Sequence, residues 1–226
     1  MLALVSFALL AAAEPIPSSW QQARDAQDRA ALDRLSGELQ SQAQAQPNDA
    51  SMQYRAALLE SLRAEVLLEL RDRGAAKAAA EAGIRAAERA VALTPKSSEY
   101  HRVLGTLCGQ VIPANVLAGL RYGKCAQEEV NRAIELDPKS ALAHMARGVG
   151  NYYLPEAFGG GAEIALKDFA AASKLDPRNG DIFLWMGITL RKLNRNAEAR
   201  QALSRAIALN PNRIWAKQQL EKTPAK

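Results

Sequence analysis

Few residues in this chain are suited to covalent, acid–base or metal chemistry. There are two cysteines, Cys108 and Cys125, and two histidines, His101 and His144. An even cysteine count in an exported protein points to a disulfide. The alternative is two separate buried thiols acting as small apolar residues. Each histidine lies six residues after a proline, Pro95 or Pro138, in one column with Gln53 and Phe183. A column that accepts His, Gln and Phe reads as a packing position. No His, Cys or carboxylate set has zinc spacing, and no G-x-S-x-G elbow is present. Gly159-Gly160-Gly161 precedes a helical stretch, where backbone N–H groups could cradle a phosphate. No Lys-Ser or Lys-Thr follows, so this is not a P-loop, and the stretch reads as a long flexible turn. With no acid–base pair and no nucleophile beside a base, the expectation is a non-enzyme with no cofactor and no metal.

The elements around these residues follow an arithmetic pattern. Pro47, Pro95, Pro138, Pro177 and Pro211 are separated by 48, 43, 39 and 34 residues. Ten residues after a proline stand Ala57, Gly105, Gly148 and Gly187; five before the next stand Ala90, Ala133, Ala172 and Ala206. Twelve before it stand Gly83, Ala126, Ala165 and Ala199. Every residue in these columns is small, as a close crossing of two helices requires. The prolines end the second helix of each unit. Each unit is then a helix–turn–helix: residues 48–95, 96–138, 139–177 and 178–211. The surplus over 34 residues lies between the aligned columns. In the first unit it lengthens both helices, with a turn near Gly74. In the second it falls around Gly109–Gly119, where Pro113 breaks the helix. In the third it makes the turn YYLPEAFGGG.

This register also bears on the cysteines. Cys108 lies thirteen residues after Pro95 and Cys125 thirteen before Pro138. They sit on partner helices beside the crossing of Gly105 and Ala126, where Cα atoms come within disulfide reach. Against a bridge, Cys125 is about 100° around its helix from Ala126, so both readings stand.

Apolar residues make up 48% of the chain but aromatics only 5%, and no alternating β-branched run stands out. The fold class is all-α. The net charge is +5, with Lys and Arg interspersed among Asp and Glu. That is a solvated helix surface rather than a nucleic-acid face. At the N-terminus, Leu2 to Ala13 is an apolar run ending in Ala11-Ala12-Ala13, which fits a secretory signal (residues 1–13) cut before Glu14. The run lacks the usual basic residues ahead of it and is too short to span a bilayer. The expectation is therefore an exported, periplasmic protein with no stable membrane span after cleavage. Residues 14–47 are read as an N-terminal cap, with one long helix from Trp20 to about Ala45. Residues 212–226 are read as a C-terminal capping helix and tail.

The 34-residue unit Gly180–Pro211 resembles a tetratricopeptide repeat, and the likeness extends over residues 48–211. Residues 148–169, GVGNYYLPEAFGGGAEIALKDF, also resemble exported bacterial tetratricopeptide-repeat proteins with lengthened repeats, and the eukaryotic regulators of microtubule dynamics. The resemblance implies an α–α superhelix of four repeats between capping helices. It also implies a concave groove lined by the first helix of each unit, at positions 4, 7 and 11 after the proline. Those columns read Ser51, Glu99, Leu142, Asp181; Tyr54, Arg102, Met145, Leu184; and Leu58, Thr106, Val149, Ile188. Tyr152 and Arg191 lie one turn further. The Lys and Asn residues that clamp an acidic C-terminus in some members are absent. The stripe has apolar ends and a polar centre at Glu99 and Arg102, which suits an amphipathic helix or an extended peptide. The expected function is a scaffold for a protein or peptide partner. The competing reading is a ligand-carrying component of a periplasmic transporter. Part of the groove could instead be filled by the protein's own N-terminal helix.

Overall fold

The computed structural model describes residues 16–114 and 116–225. Among these there are eleven α-helices and no strand. The proposed signal at residues 1–13 lies outside the described residues. Four antiparallel pairs make the body: α3 (Ala50–Glu69) with α4 (Arg73–Leu93), and α5 (Ser98–Val111) with α6 (Val116–Leu136). Then come α7 (Ala141–Tyr153) with α8 (Ala162–Leu175), and α9 (Gly180–Lys192) with α10 (Asn196–Leu209). Each pair packs on the next, and the helices α3, α5, α7 and α9 form one continuous row. The terminal helix α11 is Ile214–Glu221.

The joints between pairs are built from a proline and a cap two residues later. Asp49, Ser97, Ser140 and Asn179 each accept a backbone N–H of the following helix, at 3.0–3.3 Å. This satisfies one of the N–H groups a helix start leaves unpaired. Four positions further on, the side chain turns back on the joint. His101 Nε2 lies 3.0 Å from the Pro95 carbonyl and His144 Nε2 3.0 Å from that of Pro138. Gln53 donates to the Ala43 and Gln46 carbonyls. The histidine column thus fastens the joints.

The small-residue columns lie at the crossings. A Cβ on Gly105 would stand 2.7 Å from Val130 Cγ2, one on Gly148 2.6 Å from Phe169, and one on Gly187 2.5 Å from Leu203. Ala133, Ala165, Ala172, Ala199 and Ala206 are buried opposite them. Larger side chains there would hold the helices apart and open the core between them.

Three sequence expectations need correction. The N-terminal segment is two helices, α1 (Ser18–Asp25) and α2 (Arg29–Ala45). Between them Gln27 takes φ +52° and Asp28 caps α2 by accepting from Ala31 N at 2.9 Å. The capping aspartate stops one helix and starts the next, which the spacing of Trp20, Ala23, Leu32 and Leu35 did not reveal. The first pair turns at Leu70–Asp72 and not at Gly74. There Arg71 takes φ +65° and Asp72 caps α4. The turn after α7 is pinned, not flexible. Gly161 N donates to Asn151 O at 2.8 Å, Gly160 N to Pro155 O, and Asn151 Nδ2 to buried Asp168. Gly159 and Gly161 supply the positive φ angles this path needs.

Candidate binding groove

The row α3, α5, α7, α9 carries the groove columns. At its centre Tyr54 is buried, stacks on Tyr100 with centroids 4.9 Å apart, and donates to Glu99 Oε1 at 3.0 Å. Arg102 is buried and donates twice to Glu99. Burial opposes the Arg102 charge, but Glu99 outweighs it and raises the pKa above the ordinary value. The Thr106 hydroxyl donates to the Arg102 carbonyl. Leu58, Leu184 and Ile188 are buried in the core. Met145, Val149 and Tyr152 are half-buried against the core of Ala165, Phe169, Ala172 and Ile182. Tyr152, Trp185 and Trp215 form an edge-to-face ladder, with Lys192 Nζ 4.3 Å from the Tyr152 ring. Arg191 donates to Gln219 and Thr223 and ties α11 to α9.

The two cysteines are joined, with Sγ atoms 2.01 Å and Cα atoms 6.0 Å apart. The bond links α5 to α6 across the short 3-10 turn Ile112–Ala114.

The stripe of α3 continues past Leu58 to Ser61, Glu65 and Glu69, at the same helical spacing. On this inner face lies α1. Trp20 is buried with Arg55 5.8 Å from its ring. Arg24 donates to Asp181 at 2.8 Å and to Asp25 at 2.7 Å. Gln27, just past α1, donates to Glu69 and exchanges hydrogen bonds with Gln218 of α11. The first and last elements of the superhelix therefore meet.

Arg213 completes this closure. It is 1% exposed. Its guanidinium donates to Glu65 at 2.8 Å, to both Glu69 oxygens, to Asp181 at 3.4 Å and to the Arg24 carbonyl. Asn210 donates to Asp25 at 2.8 Å. Two guanidiniums thus share a buried site with four carboxylates. Burial opposes the charge on both arginines, but the carboxylates prevail and raise their pKa values. Burial likewise opposes ionisation of Asp181, yet Arg24 and Arg213 hold its pKa below the ordinary carboxylate range. Glu69 goes the other way. Burial, reinforced by Glu65, pushes it up to about 7 against the pull of Arg213 and Gln27.

Of this network, sequence reasoning named only Asp181. Arg213 had a signal. Two residues after each of the earlier joint prolines stands a cap, Asp49, Ser97, Ser140 or Asn179, and after Pro211 the same position holds Arg213. That helix has no side-chain cap. A break in a capping column marks a residue used for something else. Glu65 and Glu69 could have been found by extending the 4-7-11 stripe along the longer first helix. Arg24 had no signal.

Residues 19–156 match the family described as regulator of microtubule dynamics protein 1-3. The chain belongs to that family. Residues 180–213, the pair α9 and α10 with its closing joint, match a tetratricopeptide repeat. Among solved structures it is similar to TTC0263, a thermophilic tetratricopeptide-repeat protein of Thermus thermophilus. That likeness has a TM-score of 0.63 at 17% identity, covering 89% of this chain and 97% of the other. It shows the superhelical fold. YrrB, a tetratricopeptide-repeat protein described as having an unusual peptide-binding site, is 20% identical over 90% of this chain and 98% of its own, with a TM-score of 0.46. That likeness is too distant to carry an argument.

Proposed function

We propose that this protein is a non-enzymatic scaffold whose concave groove holds a peptide or a helix of a partner. The observation that carries this is α1. The inner face already receives a helix of the same chain, through a buried tryptophan and a charged pair. A surface shaped to take one short helix has the form needed to take another. The half-buried ladder Tyr152, Trp185 and Trp215 extends the apolar part of that face. We also infer export, with cleavage after Ala13 and a periplasmic or other oxidising location. The Cys108–Cys125 bond supports that reading, since disulfides persist in oxidising compartments.

Native mass spectrometry of the protein recovered from its own compartment tests the scaffold reading. A monomer carrying a peptide or protein chain is the expected result. A trimer carrying a small molecule would replace it with the carrier reading.

A further inference from the structure

The site at which α1 lies has a specific chemistry. It presents three carboxylates, Glu65, Glu69 and Asp181, around the single guanidinium of Arg213. Into this excess of negative charge α1 inserts Arg24, four residues after buried Trp20. Yet α1 also brings Asp25, which bonds Arg24 and lies 3.8 Å from Arg213. The arginine and the aspartate cancel, so the excess of carboxylates over guanidiniums is no smaller with α1 present than without it. Glu69 faces Glu65 on its own helix, Gln27 beside α1 and Arg213 before α11; burial raises its carboxyl, and Glu65 adds to the rise.

The helix α1 is also short. It has eight residues, follows Pro17 and has no side-chain cap at its start. Helices of that length are marginal on their own. It is held by buried Trp20, by Arg24 on Asp181, by the bonds from Asn210 to Asp25 and from Arg213 to the Arg24 carbonyl, and by packing on α2 and α3.

We propose that α1 is a displaceable occupant of an arginine-reading acidic pocket, and that the partner of this groove is a short helix bearing an aromatic residue and an arginine four positions later. Such a segment without an acid after its arginine neutralises the pocket better than α1 does. The inference rests on the scaffold reading and adds the partner's chemistry and the means of regulation.

The test uses the full chain and two labelled peptides, one with the sequence of residues 16–28 and one with its Asp25→Asn form, followed by fluorescence anisotropy. Arg24→Ala removes the internal arginine and leaves the pocket intact. It should tighten binding of the residue 16–28 peptide by about tenfold or more relative to wild type, because a site occupied in cis has its apparent affinity reduced by the occupied fraction. The Asp25→Asn peptide should bind more tightly than its parent, and adding Asp181→Asn to Arg24→Ala should abolish the gain. A folded Arg24→Ala protein that binds no better than wild type overturns the proposal, as does a gain that survives Asp181→Asn. Should Arg24→Ala fail to fold, hydrogen exchange on the wild-type chain decides. Amides of Trp20–Asp25 should exchange by a local opening, faster than those of α3. Exchange of both at one common rate overturns the proposal. A failure here alongside a peptide-bearing monomer in the native mass spectrum would leave the scaffold reading standing.

Discussion

At residue scale, two kinds of side chain set the behaviour of this protein: small ones at the crossings and charged ones at the closure. Gly187 has no room for a Cβ beside Leu203 and the Ala199 carbonyl. Gly187→Ala, Ala199→Leu and Ala206→Leu should each destabilise by roughly 1–3 kcal/mol through overpacking. Ala197→Leu, on the exposed side of the same helix, should be nearly neutral. Urea midpoints at constant slope measure this, and equal losses at all four positions would contradict the register. Glu69 gives a pH signature. Its folded pKa of about 7 lies above the ordinary 4.5, so the folded state binds the proton more tightly. The contribution is full below about 4.5 and is lost as pH rises through 7. Thermal melts across this range should show wild type losing stability relative to Glu69→Gln, by on the order of 1–3 kcal/mol. Asp181 has the opposite slope. Its lowered pKa stabilises above the ordinary carboxylate range, and that stability is lost as pH falls through the lowered value.

At element scale, the four pairs were legible because close crossings restrict residue size and joints restrict chemistry. Three columns of Gly and Ala and one of proline were enough to locate every pair. The break between α1 and α2 was not legible, because Gln27 takes a left-handed conformation with no glycine or proline to announce it. The same holds for Arg71 at the first turn. The groove stripe was legible as a pattern, but its burial was not. Tyr54 and Arg102 are buried and closed off by Glu99 and Tyr100, a contact between neighbouring repeats that no single-repeat pattern contains. The disulfide belongs to this scale too. It closes a loop with a sequence separation of 17 around the irregular join of α5 and α6. The double variant Cys108→Ser/Cys125→Ser should lose about 3 kcal/mol in the chain-entropy model. Melting the wild type with and without reductant should show the same difference, and identical melts would mean the bridge is not formed in solution. Alkylation of denatured, unreduced protein checks this independently, since a bridged pair takes up no label.

At the scale of the whole molecule, the superhelix is closed on itself. Sequence periodicity describes each repeat and its neighbour, and it contains no term for the contact of the first helices, α1 and α3, with the last, α9 and α11. That contact is made by Arg213 against Glu65 and Glu69, by Arg24 against Asp181, and by Gln27 against Gln218. Breaking a buried charged site by removing one partner leaves the others unpaired, so loss of any one of these partners weakens the closure. The direct measurement is proximity of the two ends in solution. Gln27→Cys paired with Gln218→Cys, in the chain whose native cysteines are already bonded, should be joined within one molecule by a short bis-maleimide. Rapid intramolecular linkage of the monomer, slowed by Arg213→Ala, is the expected result. Absence of linkage, or linkage only between separate molecules, would contradict closure.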